Sequence, residues 1–262
     1  MRRLTRCLPG FLAVLVLLAG GGTAVRGESG PDPDEVTTVS AGAPPSHSGQ
    51  PDPFQAYPVG RKQAEAPPKQ DGKVGLVTRI KTDKPVMFVT VDDGIVRDPK
   101  MIDLIRDSKV RPALFLTEQY VRQDPKFFRK LREVGATIEN HTLTHPDLAG
   151  MTYGDQRREI CETADKYRPL YGERPQLLRP PYGSYDDTTL RVAADCGMKA
   201  AVNWTALVED GQLRFQGIAD QLYPGDIVLM HFTENFEQDL KAVLDQAKQD
   251  GLTPASLRDF LG

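Results

Sequence analysis

The sequence predicts one α/β domain over residues 74–262, and three observations carry that expectation. After Lys73, short apolar runs alternate with amphipathic stretches, as expected when strands and helices take turns in one layered structure. The runs are apolar at successive rather than alternate positions, which suits parallel strands covered on both faces. The chain of 262 residues is 39% hydrophobic, enough to bury a core of that extent.

Taken in order, the chain opens with Arg2, Arg3 and Arg6, an apolar stretch from Phe11 to Ala19, and small residues from Gly20 to Ala24. This is the layout of an export signal, expected over residues 1–27. The span from Phe11 to Ala24 is shorter than the ~20 apolar residues that cross a bilayer. The expectation is therefore a secreted, extracellular protein without a stable membrane span, with an uncleaved signal anchor or cell-wall association as the alternatives. Residues 28–73, dominated by Pro, Gly, Ser, Ala, Gln and Asp, read as a disordered linker with His47 as a solvated loop residue.

Beyond the linker, strands are expected at 86–91, 113–116, 136–139, 176–179, 199–203 and 227–231. Helices are expected at 99–109, 125–134, 153–171, 186–196 and 236–249. A barrel and an open sheet would both satisfy this succession. The formal net charge of -3 provides no basic field for phosphates, so a nucleic-acid role is not expected. Cys7 lies in the export signal, leaving Cys161 and Cys196. Spacing alone leaves two readings open for them, a disulfide or two buried thiols.

Ligands of such folds gather where strands end, because the loops there stand on a rigid scaffold. Thr90-Val91-Asp92-Asp93-Gly94 ends the first strand with two adjacent carboxylates and a glycine that lets the backbone turn. Side chains alternate along a strand, so both acids can serve one site only if the chain leaves the strand between them; the competing reading is an ordinary surface turn. Asn140-His141-Thr142-Leu143-Thr144-His145-Pro146 carries two of the chain's four histidines. On one helical turn their rings meet and can bind a divalent metal, whereas Pro146 favours a loop. In Leu178-Arg179-Pro180-Pro181-Tyr182-Gly183 the prolines stiffen a loop whose arginine can orient a carboxylate, or simply be exposed. Gly225 to His231 is an apolar strand ending in a histidine, a position as compatible with structure as with catalysis.

In this order the four motifs resemble those of the polysaccharide deacetylase family, the carbohydrate esterases with the NodB homology domain, over residues 84–262. The resemblance implies a distorted (β/α) barrel and a metal-dependent hydrolase. Asp92 would be the general base, oriented by Arg179, and His231 the general acid. Asp93, His141 and His145 would hold zinc, with cobalt or manganese as alternatives. Tyr182 would offer its backbone N–H to the oxyanion and Leu229 would line the acetyl-methyl pocket, with Pro181 and Trp204 also contacting substrate.

One stretch departs from the family pattern, Trp204 to Gly211. Asp210 would supply the carboxylate that pairs with Arg179, while Gly211 stands where the family carries an aromatic and Leu207 where it often carries an acid. The implied function is removal of N-acetyl groups from an acetylated polysaccharide built on N-acetylglucosamine, peptidoglycan or chitin-like. The alternatives are an O-acetyl esterase acting on xylan-type glycans and a catalytically impaired glycan-binding protein.

Overall fold

The computed structural model of the chain describes residues 62–262; the expected export signal, Cys7, His47 and the linker before residue 62 lie outside it. In chain order the strands are β1 (Gly75–Val77), β2 (Val86–Asp93), β3 (Ala113–Leu116), β4 (Thr137–Asn140), β5 (Leu177–Leu178), β6 (Ala200–Val202), β7 (Ala206–Glu209), β8 (Gln212–Phe215), β9 (Ile227–His231) and β10 (Thr253–Pro254). The helices are α1 (Lys100–Ser108), α2 (Glu118–Val121), α3 (Pro125–Glu133), α4 (Tyr153–Tyr171), α5 (Asp187–Asp195), α6 (Phe236–Gln249) and α7 (Arg258–Leu261). The sheet runs β1-β6-β5-β4-β3-β2-β9-β7-β8, with β10 added to β2. Every pairing is parallel except the β7–β8 hairpin. The expected distorted barrel is therefore present, open between its edge strands β1 and β8.

Side-chain parity divides the core. Met87, Val89 and Val91 of β2 face outward into a cluster that includes Ile105 of α1, Leu131 of α3 and Val243 of α6. Val86 and Phe88 of the same strand face inward with Phe115, Leu177, Val202, Ile227 and Phe260. Because both faces are buried, β2 reads as one apolar run. The inner cluster is closed at one end by the C-terminal segment, where Phe260 stands edge-on to Phe88 at 5.0 Å between ring centroids. Glu139, fully buried on β4, accepts hydrogen bonds from the Gln176 and Leu177 amides and from Arg258 Nε at 2.6 Å.

The helices start where local chemistry satisfies their free amides. Asp124 accepts from Phe127 N–H ahead of a proline at the start of α3. Thr152 caps α4, and Asp186 with Thr189 forms a reciprocal capping box on α5. Cys161 and Cys196 are joined in a disulfide that ties α4 to the end of α5.

Three expectations need correction. The linker does not extend to residue 73: Gln63 N–H reaches Asp259 O, Lys69 Nζ caps Ala194 O at 3.0 Å, and Ala64 and Ala66 pack on the inner cluster. Its small and proline-rich composition suits a strap flattened on a surface as well as a free chain. Second, β1, β10, α2 and α7 are too short to leave a periodic signature. Third, Asp210, expected to pair with Arg179, lies instead in the turn of the β7–β8 hairpin. No helix among the described residues is long and apolar enough to cross a membrane.

Replacing Cys161 and Cys196 together by alanine should lower stability by about 2–4 kcal/mol. Urea unfolding with and without reductant checks this: reductant should destabilise the parent protein and leave the double variant unchanged.

Candidate functional site

The inward parity of four strands builds the site. Phe88 and Ile227 face inward, so Thr90, Asp92, Leu229 and His231, which lie two and four residues further along β2 and β9, face inward too. Asp92 and His231 are direct neighbours in the β2–β9 register. Glu139 and Leu177 set the same parity for His141 and Arg179, which follow β4 and β5.

Asp93 would point away from Asp92 on a regular strand. Its φ of 75 degrees turns the backbone, and Gly94 continues the turn at φ 90 degrees. A Cβ at Gly94 would come within 2.7 Å of the Phe128 ring, so only glycine fits. Both carboxylates thus approach one imidazole: Asp92 Oδ2 and Asp93 Oδ1 each lie 3.6 Å from His141 Nε2.

His145 Nε2 lies 3.3 Å from Asp93 Oδ1, and the two imidazole centroids are 4.8 Å apart. Of the two conformations open to the His141–His145 segment, the loop is the one formed. Thr142 and His145 have positive φ, at 71 and 63 degrees. Asn140 Oδ1 accepts from Thr142 N–H and Thr142 Oγ1 from His145 N–H.

Asp93 Oδ1 is buried and receives no hydrogen bond among the described residues, although two ring nitrogens face it. One carboxylate oxygen and two imidazole nitrogens, all within 4.8 Å of one another, form a donor set that could hold a divalent cation. His141 suits that role. Burial pushes its imidazole down to about 3, so it stays neutral. Its Nδ1 sits 2.7 Å from Arg179 O. A carbonyl can only accept, so Nδ1 carries the proton and Nε2 presents its lone pair to the cluster.

Arg179 is fully buried. Its Nη1 donates to Asp92 Oδ1 and Thr90 Oγ1, both at 2.7 Å, and its Nε to Val202 O at 3.1 Å. Nη2 donates to Asn203 O at 3.3 Å, and the guanidinium stacks over Phe115 at 4.3 Å. Burial pushes the Asp92 carboxyl above the ordinary carboxylate range, opposed by the charges of Arg179 and His231 and by the Arg179 hydrogen bond.

The remaining predicted residues surround this core. Leu229 is buried beside Thr90 on one side and half-buried Leu207 on the other. Tyr182 has a positive φ of 60 degrees, is 70% exposed, and holds its ring 4.7 Å from that of His145. Buried Pro181 precedes it, and half-buried Trp204 stands against Gly183.

Asp210 does not pair with Arg179. It is exposed at the tip of the β7–β8 hairpin, accepting from Asn235 Nδ2 at 2.7 Å. Asp210 and Gly211 both have positive φ, the two-residue turn that Asp-Gly favours between antiparallel strands. Gly211 takes a φ of 73 degrees, which favours glycine in this turn, and its N–H donates to Asp239 Oδ1 at 2.7 Å. The turn signal was present in the sequence. Thr90 and Asn140, given no role within their motifs, and Asn203 and Glu159, outside them, carry much of the local hydrogen bonding.

Residues 79–201 match the family described as polysaccharide deacetylase. An uncharacterized protein of Streptomyces coelicolor is 39% identical over 220 residues, 80% of this chain and 88% of the relative. A chitooligosaccharide deacetylase of Sinorhizobium fredii is 30% identical over 171 residues, 62% of this chain and 79% of that protein. The solved structure of a carbohydrate esterase family 4 pseudoenzyme from Bacillus anthracis is 20% identical with a TM-score of 0.64, covering 72% of this chain and 69% of that one. At that identity the likeness concerns the fold.

Arg179→Met leaves Asp92 buried without its cation and should cost about 3–5 kcal/mol in urea unfolding, whereas Asp210→Asn should leave the midpoint unchanged. A second expectation concerns pH. In metal-free protein His141 stays neutral down to about 3 when folded and titrates near 6.5 when unfolded. Between those values the unfolded chain binds the extra proton, so stability falls as pH falls from 6.5 toward 3. His141→Asn should flatten that slope by up to about one proton, read from urea midpoints at several pH values.

Proposed function

This chain belongs to the polysaccharide deacetylase family, and on that premise we propose that it is an exported, metal-dependent hydrolase removing N-acetyl groups from a polymer containing N-acetylglucosamine, peptidoglycan or a chitin-like chain. One observation carries the reading: Asp92, fixed by Arg179, and His231 beside it face the same space as the converging oxygen and nitrogens of Asp93, His141 and His145. A fold shared with a pseudoenzyme leaves activity to be argued from side chains, and here base, acid and ligand set are together.

Asp93, His141 and His145 would hold a divalent ion, for which zinc suits two imidazoles and a carboxylate and cobalt or manganese are alternatives. That ion would supply Lewis acidity, polarising the acetyl carbonyl and lowering the pKa of water. Asp92 would accept the proton of the attacking water, since its second oxygen is free of the Arg179 contact. His231, on the adjacent strand, would donate a proton to the departing amine, without which an amide does not cleave. The Tyr182 backbone N–H would stabilise the developing oxyanion, and Leu229 would floor the acetyl methyl. The exposed Tyr182 ring and half-buried Trp204 would stack on sugar faces.

Export is part of the proposal. The arginine-led apolar segment before Ala24 and the Cys161–Cys196 disulfide both suit a chain that functions in an oxidising space. An O-acetyl ester would be attacked by the same groups, so substrate choice is a matter for measurement.

Acetate release from matched N-acetylated and O-acetylated oligosaccharides should favour the N-acetylglucosamine series and stop on chelation. Asp92→Asn should reduce kcat/KM by about 10²–10⁴-fold while the bound-metal content stays that of the parent. Full activity in Asp92→Asn would sink the assignment, and release from the O-acetylated series alone would move the protein to the esterase reading.

A further inference from the structure

We propose that Glu159, a carboxylate on α4 outside every motif, is a positioning residue that shapes the His141–His145 loop for metal binding. The inference rests on the reading that Asp93, His141 and His145 hold a divalent cation.

The loop between the two histidines is an unfavourable conformation. Thr142 and His145 both sit in the left-handed region, which costs a residue other than glycine free energy that its surroundings must offset. Its carbonyls are braced from one side: Thr117 Oγ1 donates to His141 O at 3.1 Å, and the Glu118 and Gln119 amides donate to Thr142 O and Leu143 O. Its amides have one anchor in the middle. Glu159 Oε2 accepts from Leu143 N–H at 2.9 Å and Thr144 N–H at 3.0 Å, while Oε1 accepts from the Thr144 hydroxyl at 2.9 Å.

Three donors converging on one buried carboxylate is an arrangement made for it. Glu159 is 4% exposed and, among the described residues, forms no ion pair with Lys, Arg or His. Taking a carboxylate out of water without a counter-ion is costly unless hydrogen bonds replace its hydration. The loop supplies those bonds, and the carboxylate in return fixes the left-handed turn between the ligands.

The helix bearing Glu159 is itself tied down at the two residues that follow it. Asn140 Nδ2 donates to Ile160 O at 2.8 Å, and Cys161 is bonded to Cys196. Asn140 also directly precedes His141. The distance from α4 to the loop is thereby set by covalent and hydrogen bonds, and Glu159 transmits it to His145, whose ring has no hydrogen bond among the described residues.

Cobalt affinity of the metal-free chain, measured by calorimetry or chelator competition, tests this. Glu159→Ala should weaken cobalt binding about 10–100-fold, the range for residues that orient metal ligands. Glu159→Gln should bind within about threefold of the parent, since its amide oxygen can accept both backbone N–H groups and its NH2 can meet the Thr144 hydroxyl. Thr144→Val, which removes only the hydroxyl contact, keeps the test open if the alanine variant does not fold, and should weaken binding several-fold. Ile105→Val, a core truncation on α1, should lower the thermal midpoint and leave affinity unchanged. Parental affinity in Glu159→Ala or in Thr144→Val would overturn the positioning role alone. Absence of cobalt binding by the parent would overturn the ligand assignment and this inference with it.

Discussion

The contact between Arg179 and Asp92 joins two strands that a flat sheet would keep apart. β5 and β2 are separated by β4 and β3, three spacings or about 14 Å on an uncurled sheet. The guanidinium bridges them because the sheet curls, and it holds the inner face at the width at which side chains from β2, β4, β5 and β9 meet. Burying such a pair is rarely favourable by itself. Here Thr90, two main-chain carbonyls and the face of Phe115 complete the coordination of the arginine, so that little of its hydrogen-bonding capacity is left unmet. The carboxylate, by contrast, keeps one oxygen uncommitted beside His141. An ion pair satisfied on the cationic side and open on the anionic side leaves Asp92 fixed in place and still basic.

Much of the candidate site was legible in primary structure because it follows from period-two alternation and a few turn residues. The strands at 113–116 and 227–231 were read with their observed bounds. Gly94 announced the turn that lets Asp93 join Asp92, and its reason is visible in the Phe128 ring behind it. What was not legible depends on distant segments. Glu159 stands among Arg157, Arg158 and Glu162, a run that reads as a solvated helix face. Only the return of the 143–144 loop across it makes the position interior. Glu139 is hidden for a similar reason, its partner Arg258 lying 119 positions away. Cysteine spacing left the Cys161–Cys196 pairing open because spacing does not report an approach of 4.9 Å between Cα atoms.

Asp210 was misplaced because the family pattern overrode a local signal. The acid was expected to pair with Arg179, whereas Asp-Gly between two short strands is a hairpin turn. The structure shows the tip held by α6: Gly211 N–H donates to Asp239 Oδ1 at 2.7 Å and Gln238 reaches Asp210 O. This rim is built as a fastened ribbon, and Arg179 obtains from Asn203 O and Val202 O what a second carboxylate would otherwise provide.

The strand that bears both aspartates is completed only by segments made much later. β2 takes β9 as its neighbour along residues 88–92 and β10 at residues 86–87, more than 130 positions downstream. Until those arrive, one side of β2 is a bare row of amides and carbonyls, and the inner cluster lacks Ile227, Leu257 and Phe260. Such a topology closes late and cooperatively. The candidate site, with Asp92 on β2 and His231 on β9, therefore takes shape only when the downstream strands have joined the sheet.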